Sequence, residues 1–198
     1  KGLVNAAGPW VESFVKGNAK RDSRYGIRMI QGSHLIVPRL NDDDRAYILQ
    51  NQDGRIVFVL PYQQRFSLIG TTDRRYQGDP AKVSINDEEI DYLLGVLRHY
   101  FPDHPTQVLD AWAGLRVLPR GDGRAFHRSR EVILSPDDEQ RPSFVSVYGG
   151  KLTGYRATAA RVLALLRGNL PKADAKADTK TLRLPPDPRL EAGLDANG

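Results

Sequence analysis

The chain opens on an apolar run that ends in small residues, Gly2-Leu-Val-Asn-Ala-Ala-Gly8, and this reads as a short strand. Pro9 fits the first turn of a helix running to about Lys16, where a missing N–H costs no hydrogen bond. From Tyr25 the apolar period changes to two. Residues 28–31 and 35–39 then read as two strands broken at Gly32-Ser33. Residues 47–50 and 55–60 flank Asp53-Gly54, the signature of a tight hairpin, and residues 66–70 add a third strand of an antiparallel meander.

A helix follows. Asn86 can cap it, and Glu89 stands three residues on, as a capping box requires. Ile90, Leu93, Leu94, Leu97 and Phe101 recur at helical spacing until Pro102 stops the run. Residues 111–118, 131–134 and 143–148 read as further strands. Gly149-Gly150 leads into a second helix, with Leu152, Ala159, Val162, Leu163 and Leu166 as its apolar side. Beyond Pro171 the Lys/Ala/Asp-rich and then proline-punctuated sequence reads as a linker or frayed tail, residues 171–198. The sum is an α+β chain dominated by antiparallel sheet.

Composition narrows the chemistry. The 198 residues contain no cysteine, which excludes disulfides and thiolate metal sites. The formal charge is +5, and the segment from Lys172 carries five residues of each sign, so the basic excess lies before Pro171. Such a balance suits an anionic ligand, an acidic lipid surface or nucleic acid without choosing among them. No apolar run approaches the length of a membrane span. The chain begins mid-strand, without an initiator methionine or a signal peptide, and is expected to be a fragment.

Three groups of residues can carry chemistry. The first is a scattered basic set: Arg28, Arg39, Arg116, Arg120, Arg124, Arg128 and Lys151. Most of these suit solvated sheet edges. Arg116 differs, because it stands in the apolar run Trp112-Ala-Gly-Leu-Arg-Val-Leu118, where an unpaired guanidinium would be costly. An anionic partner is expected there, either a protein carboxylate or a ligand phosphate, to which the planar fork can donate two parallel bonds.

The second group is Gly149-Gly150-Lys151-Leu152-Thr153. Glycines before a helix start allow close approach of a ligand to the backbone and offer unpaired N–H groups, and they serve a plain strand-to-helix turn equally well. The third is Gly32-Ser33-His34. A histidine there can act as a general base, although a lone histidine is more commonly structural. His99 and His104 lack metal-ligand spacing, and His127 lies in a charged loop, so no metal site is expected. Aromatics make up 8% of the chain and do not interleave with the arginines, so nucleic acid is not an expected partner.

Several runs together resemble the aerobic, FAD-dependent glycerol-3-phosphate dehydrogenases. They are Leu3-Val-Asn-Ala-Ala-Gly-Pro-Trp10, Tyr25-Gly-Ile-Arg-Met-Ile-Gln-Gly-Ser-His-Leu-Ile-Val-Pro-Arg39, Ala46-Tyr-Ile-Leu-Gln-Asn51, Ile56-Val-Phe-Val-Leu-Pro61, Ile69-Gly-Thr-Thr-Asp73, Gly114-Leu-Arg116 and Gly149-Gly-Lys-Leu-Thr-Gly-Tyr-Arg156. They stand in the family's order over roughly residues 1–167. The first run marks only the wider glycine-oxidase and D-amino-acid-oxidase group, whereas the family's Lys-Gly-Ser-His, here Gln31-Gly-Ser-His34, together with Gly149-Gly-Lys-Leu-Thr153 and Ile69-Gly-Thr-Thr-Asp73, is specific.

The resemblance implies a two-domain flavoenzyme of which this chain lacks the Gly-x-Gly-x-x-Gly part. Residues 1–24 would be a remnant of the FAD-binding domain, 25–144 a substrate-binding cap, and 145–170 the return strand and helix of the FAD-binding domain. By match of motif, Arg116 and Lys151 would hold the substrate phosphate. Ala7, Gly8, Gly150, Leu152 and Thr153 would approach FAD, and His34 would lie near the substrate as the candidate base. The implied reaction passes a hydride from C2 of sn-glycerol 3-phosphate to flavin, giving dihydroxyacetone phosphate, with electrons going on to quinone.

The parent would sit peripherally on the inner, cytoplasmic face of the cytoplasmic membrane. The isolated fragment would neither retain FAD nor turn over. The alternatives are another FAD-dependent oxidase of the glycine or D-amino-acid oxidase group, or a non-catalytic module that binds anions or nucleic acid. Three departures from the family pattern are Val117 in place of proline, Gly154 in place of a second threonine, and Leu184-Pro-Pro-Asp in place of Leu-Pro-Gly-Gly.

Overall fold

The structure is a computed structural model that describes residues 1–18, 23–120, 131–174 and 176–182. Arg124, His127, Arg128 and the proline-punctuated run at 184–188 lie outside the described residues.

Strand β1 (Leu3–Asn5) leads through a single 3-10 turn, with Pro9 in its first positions, into α1 (Val11–Gly17). Strands β2 (Gly26–Pro38), β3 (Tyr47–Gln50), β4 (Ile56–Tyr62), β5 (Phe66–Gly70) and β6 (Arg74–Tyr76) follow. Helix α2 (Asp87–Tyr100), β7 (Asp110–Arg120), β8 (Ile133–Pro136), β9 (Phe144–Tyr148) and α3 (Tyr155–Leu166) complete the order. The strands form two sheets. One is six-stranded and antiparallel, in the order β3-β4-β5-β2-β6 with β7 also on β2; the other is β1-β9-β8.

Alternation in the first sheet sends Leu35, Val37, Leu49, Val57, Val59 and Ile69 to one face, where Leu93, Leu94, Val96 and Leu97 of α2 close the core. The opposite face has no such cover among the described residues and leaves Ile48, Ile56, Phe58 and Trp112 exposed. Asn86 caps α2 as its position in the sequence implies, accepting the Glu89 N–H at 3.0 Å, and the chain leaves the helix at Phe101, before Pro102.

Several details differ from the sequence reading. The two strands expected on either side of Gly32-Ser33 are one continuous β2, paired residue for residue with β7 from Gly26↔Arg120 to Ile36↔Asp110. Gly32 does not break the strand because its missing side chain serves a close approach from β7. The hairpin at Asp53-Gly54 forms, with Gly54 at φ +79°, but its loop is wider than a two-residue turn, because Gln50 and Ile56 are the last paired residues. Strand β6 was not foreseen. On α3, Val162 and Leu166 pack against Val145, whereas Ala159 and Leu163, with Leu152 just ahead of the helix, are exposed, so two of the five residues of the expected apolar side are buried.

The second sheet joins the two ends of the chain. Strand β1 runs parallel to β9, in the register Leu3↔Phe144 to Asn5↔Ser146. Both strands therefore end at the same sheet edge, and the segments that follow them, 6–8 and 149–151, emerge side by side there.

Candidate functional site

Residues directly opposite in an antiparallel pair point to the same face. His34 is opposite Gly70 on one side and Trp112 on the other, Gly32 is opposite Gly114, and Ile30 is opposite Arg116. His34 and Arg116 thus share the face that α2 leaves uncovered. They line a single cleft of about 740 Å³ with Gly32, Phe58, Gly114 and the Thr71–Asp73 segment.

The floor of this cleft is shaped by absent side chains. A Cβ on Gly32 would collide with Arg116 Nη2 and lie 2.5 Å from Thr71 Oγ1, and a Cβ on Gly70 would collide with the His34 ring. Between Gly70↔His34 and Arg74↔Gln31, the residues Thr71, Thr72 and Asp73 face only Gly32 and Ser33. This bulge turns the Thr72 carbonyl toward β7. Arg116 donates to it through Nη2 at 2.6 Å and to Thr71 Oγ1 at 3.3 Å, while Nη1 stands 3.7 Å from the Asp73 carboxylate. The anionic partner expected of Arg116 is therefore met in part by a half-exposed protein carboxylate, in a group that also faces the cleft.

The His34 imidazole stacks on Trp112, with ring centroids 5.7 Å apart at 17°. Its Nδ1 is buried without a hydrogen-bond partner among the described residues. Burial, and secondarily the Arg116 charge, hold its pKa below the ordinary histidine value. The neutral imidazole that results can accept a proton.

The other sequence-derived candidates lie elsewhere. Arg39 is a structural clamp, donating to the carbonyls of Asn41, Gln64 and Asp43 and to the Asp44 carboxylate. Arg28 and Arg120 are exposed on β2 and β7. Lys151 is exposed after β9 and does not line the cleft, although β7 links the two places. Pro119 packs where a Gly149 Cβ would fall, and Arg116 is three residues, roughly 10 Å, back along the same strand.

Ala7 and Gly8 follow β1, and Gly149-Gly150 follow β9, at the carboxyl end that these parallel strands share. Buried Asn5 fixes that end by donating to the Val11 carbonyl at 3.0 Å and accepting the Ala7 N–H at 3.3 Å. Gly8 takes φ +55° with nothing within 4 Å of a would-be Cβ, and Gly150 takes φ +92°. Leu152 and Thr153 are exposed just ahead of α3. Open backbone at the carboxyl ends of parallel strands fits the close approach of a flat ring or a phosphate.

Sequence reasoning missed the Thr71–Asp73 bulge and the Trp112 stack. It also missed the role of Gly70. The run Ile69-Gly-Thr-Thr-Asp73 was a signal for the first and the last, since a glycine and two hydroxyls at a strand end mark a place where backbone, rather than side chain, faces the site.

A flavin-linked redox protein is the class that this geometry suits, and residues 1–164 match the family described as DAO, FAD dependent oxidoreductase. The chain belongs to that family. Within it, the chain is 49% identical over 172 residues to a glycerol-3-phosphate dehydrogenase of Pseudomonas aeruginosa, covering 84% of this chain and 33% of the relative. It is 44% identical over 170 residues to the aerobic glycerol-3-phosphate dehydrogenase of Escherichia coli K12, covering 84% and 34%. The solved glycerol-3-phosphate dehydrogenase of Bacillus halodurans, complexed with FAD, superposes with a TM-score of 0.69 at 31% identity, over 85% of this chain and 32% of that one. The chain thus spans about one third of the length of the relatives it matches.

Proposed function

We propose that the chain is the substrate-facing part of an FAD-dependent glycerol-3-phosphate dehydrogenase. The observation that carries this reading is the convergence of a cationic fork, Arg116, and a neutral imidazole, His34, in one cleft on the uncovered face of the sheet. The names of the chain's relatives support glycerol 3-phosphate as the substrate.

In this reading Arg116 takes the phosphate dianion, the substrate's strongest handle, with Lys151 brought to it in the complete enzyme. Binding energy from the phosphate then holds C2 in place for reaction. His34 accepts the C2 hydroxyl proton, which its depressed pKa leaves it free to do at neutral pH. The exposed Phe58 and Trp112 help to exclude water once the face is covered. Gly8, Gly150, Leu152 and Thr153 would lie against FAD, and the bound flavin would supply the hydride acceptor.

The pairing of β1 with β9 supports a division in which residues 1–24 and 145–170 belong with a nucleotide-binding part and 25–144 form a cap. The exposed stripe Leu152, Tyr155 and Leu163 is surface that such a part would cover. Electrons would pass to quinone from a protein attached peripherally to a membrane. The basic excess suits an anionic lipid surface, and no helix among the described residues is long and apolar enough to cross a membrane. FAD would not stay on this stretch alone, and turnover would need the remaining part.

The test is the visible spectrum of the full-length enzyme under anaerobic conditions. Glycerol 3-phosphate is expected to bleach the flavin band. Bleaching by glycine or sarcosine, with none by glycerol 3-phosphate, would move the protein to the amino-acid oxidases.

A further inference from the structure

We infer that Glu89, buried behind the sheet on α2, is a positioning residue for Arg116. This deepens the proposed phosphate site and rests on that reading.

By sequence Glu89 belongs to a helix cap, and its N–H does bond Asn86. Its carboxylate, however, is directed into the sheet and not back along the helix. Oε1 accepts from Ser33 Oγ at 2.8 Å and from Thr72 Oγ1 at 2.6 Å, and Oε2 accepts from Gln31 Nε2 at 2.5 Å. Gln31 also donates to the Ser84 carbonyl at 2.9 Å, and Thr72 Oγ1 accepts the Ser33 N–H at 2.9 Å. Gln31, Ser33, Thr72 and Glu89 are all buried.

A buried carboxylate with three donors converging on it is costly to place, and a helix needs none for its cap. What the network determines is the conformation of the bulge. The Thr72 hydroxyl is tied to Glu89 on the core side, while the carbonyl of the same residue receives Arg116 Nη2 on the cleft side at 2.6 Å. Ser33, tied to the same carboxylate oxygen, immediately precedes His34. A single carboxylate thus pins both the bulge whose carbonyl receives the cation, through Thr72, and the strand that presents the imidazole, through Ser33. Bulges lack the ladder bonds that hold an ordinary strand, so this support must come from side chains.

The experiment uses the full-length flavoenzyme that carries this chain, titrating glycerol 3-phosphate and, separately, inorganic phosphate against the flavin spectrum. Glu89→Gln sets an amide against the Gln31 amide and is expected to weaken both ligands about ten-fold in flavin-loaded protein. Thr72→Val, which removes the hydroxyl, is expected to weaken them about ten-fold more than Thr72→Ser, which keeps it. A merely structural Glu89 would lower flavin content or Tm and leave the affinities of the loaded fraction unchanged, which overturns the inference. If Glu89→Gln yields no loaded protein, the Thr72 pair decides, and equal affinities in Val and Ser overturn it. Failure of the underlying reading shows separately, as an unsubstituted enzyme that binds neither ligand.

Discussion

Gly32 and Arg116 occupy one space: the guanidinium of residue 116 lies where a side chain on residue 32 would have to be. The atoms in the way, Arg116 Nη2 and Thr71 Oγ1, are ends of side chains rather than backbone, so they can yield. Gly32→Ala should therefore fold with little change in Tm. Its expected effect is on binding, about ten-fold weaker for glycerol 3-phosphate, because the displaced fork loses its bond to the Thr72 carbonyl. A titration of the flavin spectrum in the full-length enzyme measures it.

Arg116→Gln removes the charge but keeps a planar donor. Losing charge-assisted bonds to a phosphate dianion should weaken glycerol 3-phosphate by about 10- to 100-fold. Flavin content should not change, since Arg116 lies in the cleft and not at the carboxyl end of β1 and β9, where the proposed flavin contacts stand. Competition by inorganic phosphate should weaken in parallel.

His34 titrates below its ordinary value of 6.5, lowered first by burial and then by Arg116. The base form is complete above that value and is lost only as pH falls through the depressed pKa. The rate of flavin reduction should therefore show an acid limb below pH 6.5, which His34→Asn abolishes together with most of the rate. The sign for stability is the same. The unfolded chain takes up the proton more readily, so the contribution of His34 is present above 6.5 and declines as pH falls. A pH series of reduction rates and of Tm tests both.

Gly70→Ala contrasts with Gly32→Ala. The added methyl group meets the His34 ring, which is stacked on Trp112 and has little room to retreat. Overpacking of this kind costs about 1–3 kcal/mol, so a lower Tm is expected together with slower flavin reduction. Calorimetry and stopped-flow spectroscopy of the same preparation read the two effects.

Asn86→Ala isolates the cap from the site. Removing the acceptor of the Glu89 N–H should cost about 1 kcal/mol of stability, read by thermal denaturation.

Most of the elements were legible in the sequence because each carries a local signal. Period-two runs mark β3, β4 and β5, and Asn86 with Pro102 brackets α2. The site was legible only where a residue contradicted its surroundings, as Arg116 does in an apolar strand. Gly32 was read as a break because a glycine between polar residues is the mark of a turn, and only pairing with β7 shows what fills its place. Glu89 was absorbed by its helix position for the same reason. Its partners Gln31, Ser33 and Thr72 come from distant parts of the chain, and no local pattern announces a bond between them. The exposed part of α3 reflects the same limit, since helical spacing tells which side is apolar but not what covers it.

The most direct test of the central claim is anaerobic stopped-flow spectroscopy of the full-length enzyme with glycerol 3-phosphate, protiated or deuterated at C2. Bleaching of the flavin, slower with deuterium, is the predicted result, since in the proposed reading the bond broken is the one that phosphate bound at Arg116 would align. A flavin that stays oxidised with glycerol 3-phosphate would contradict the account.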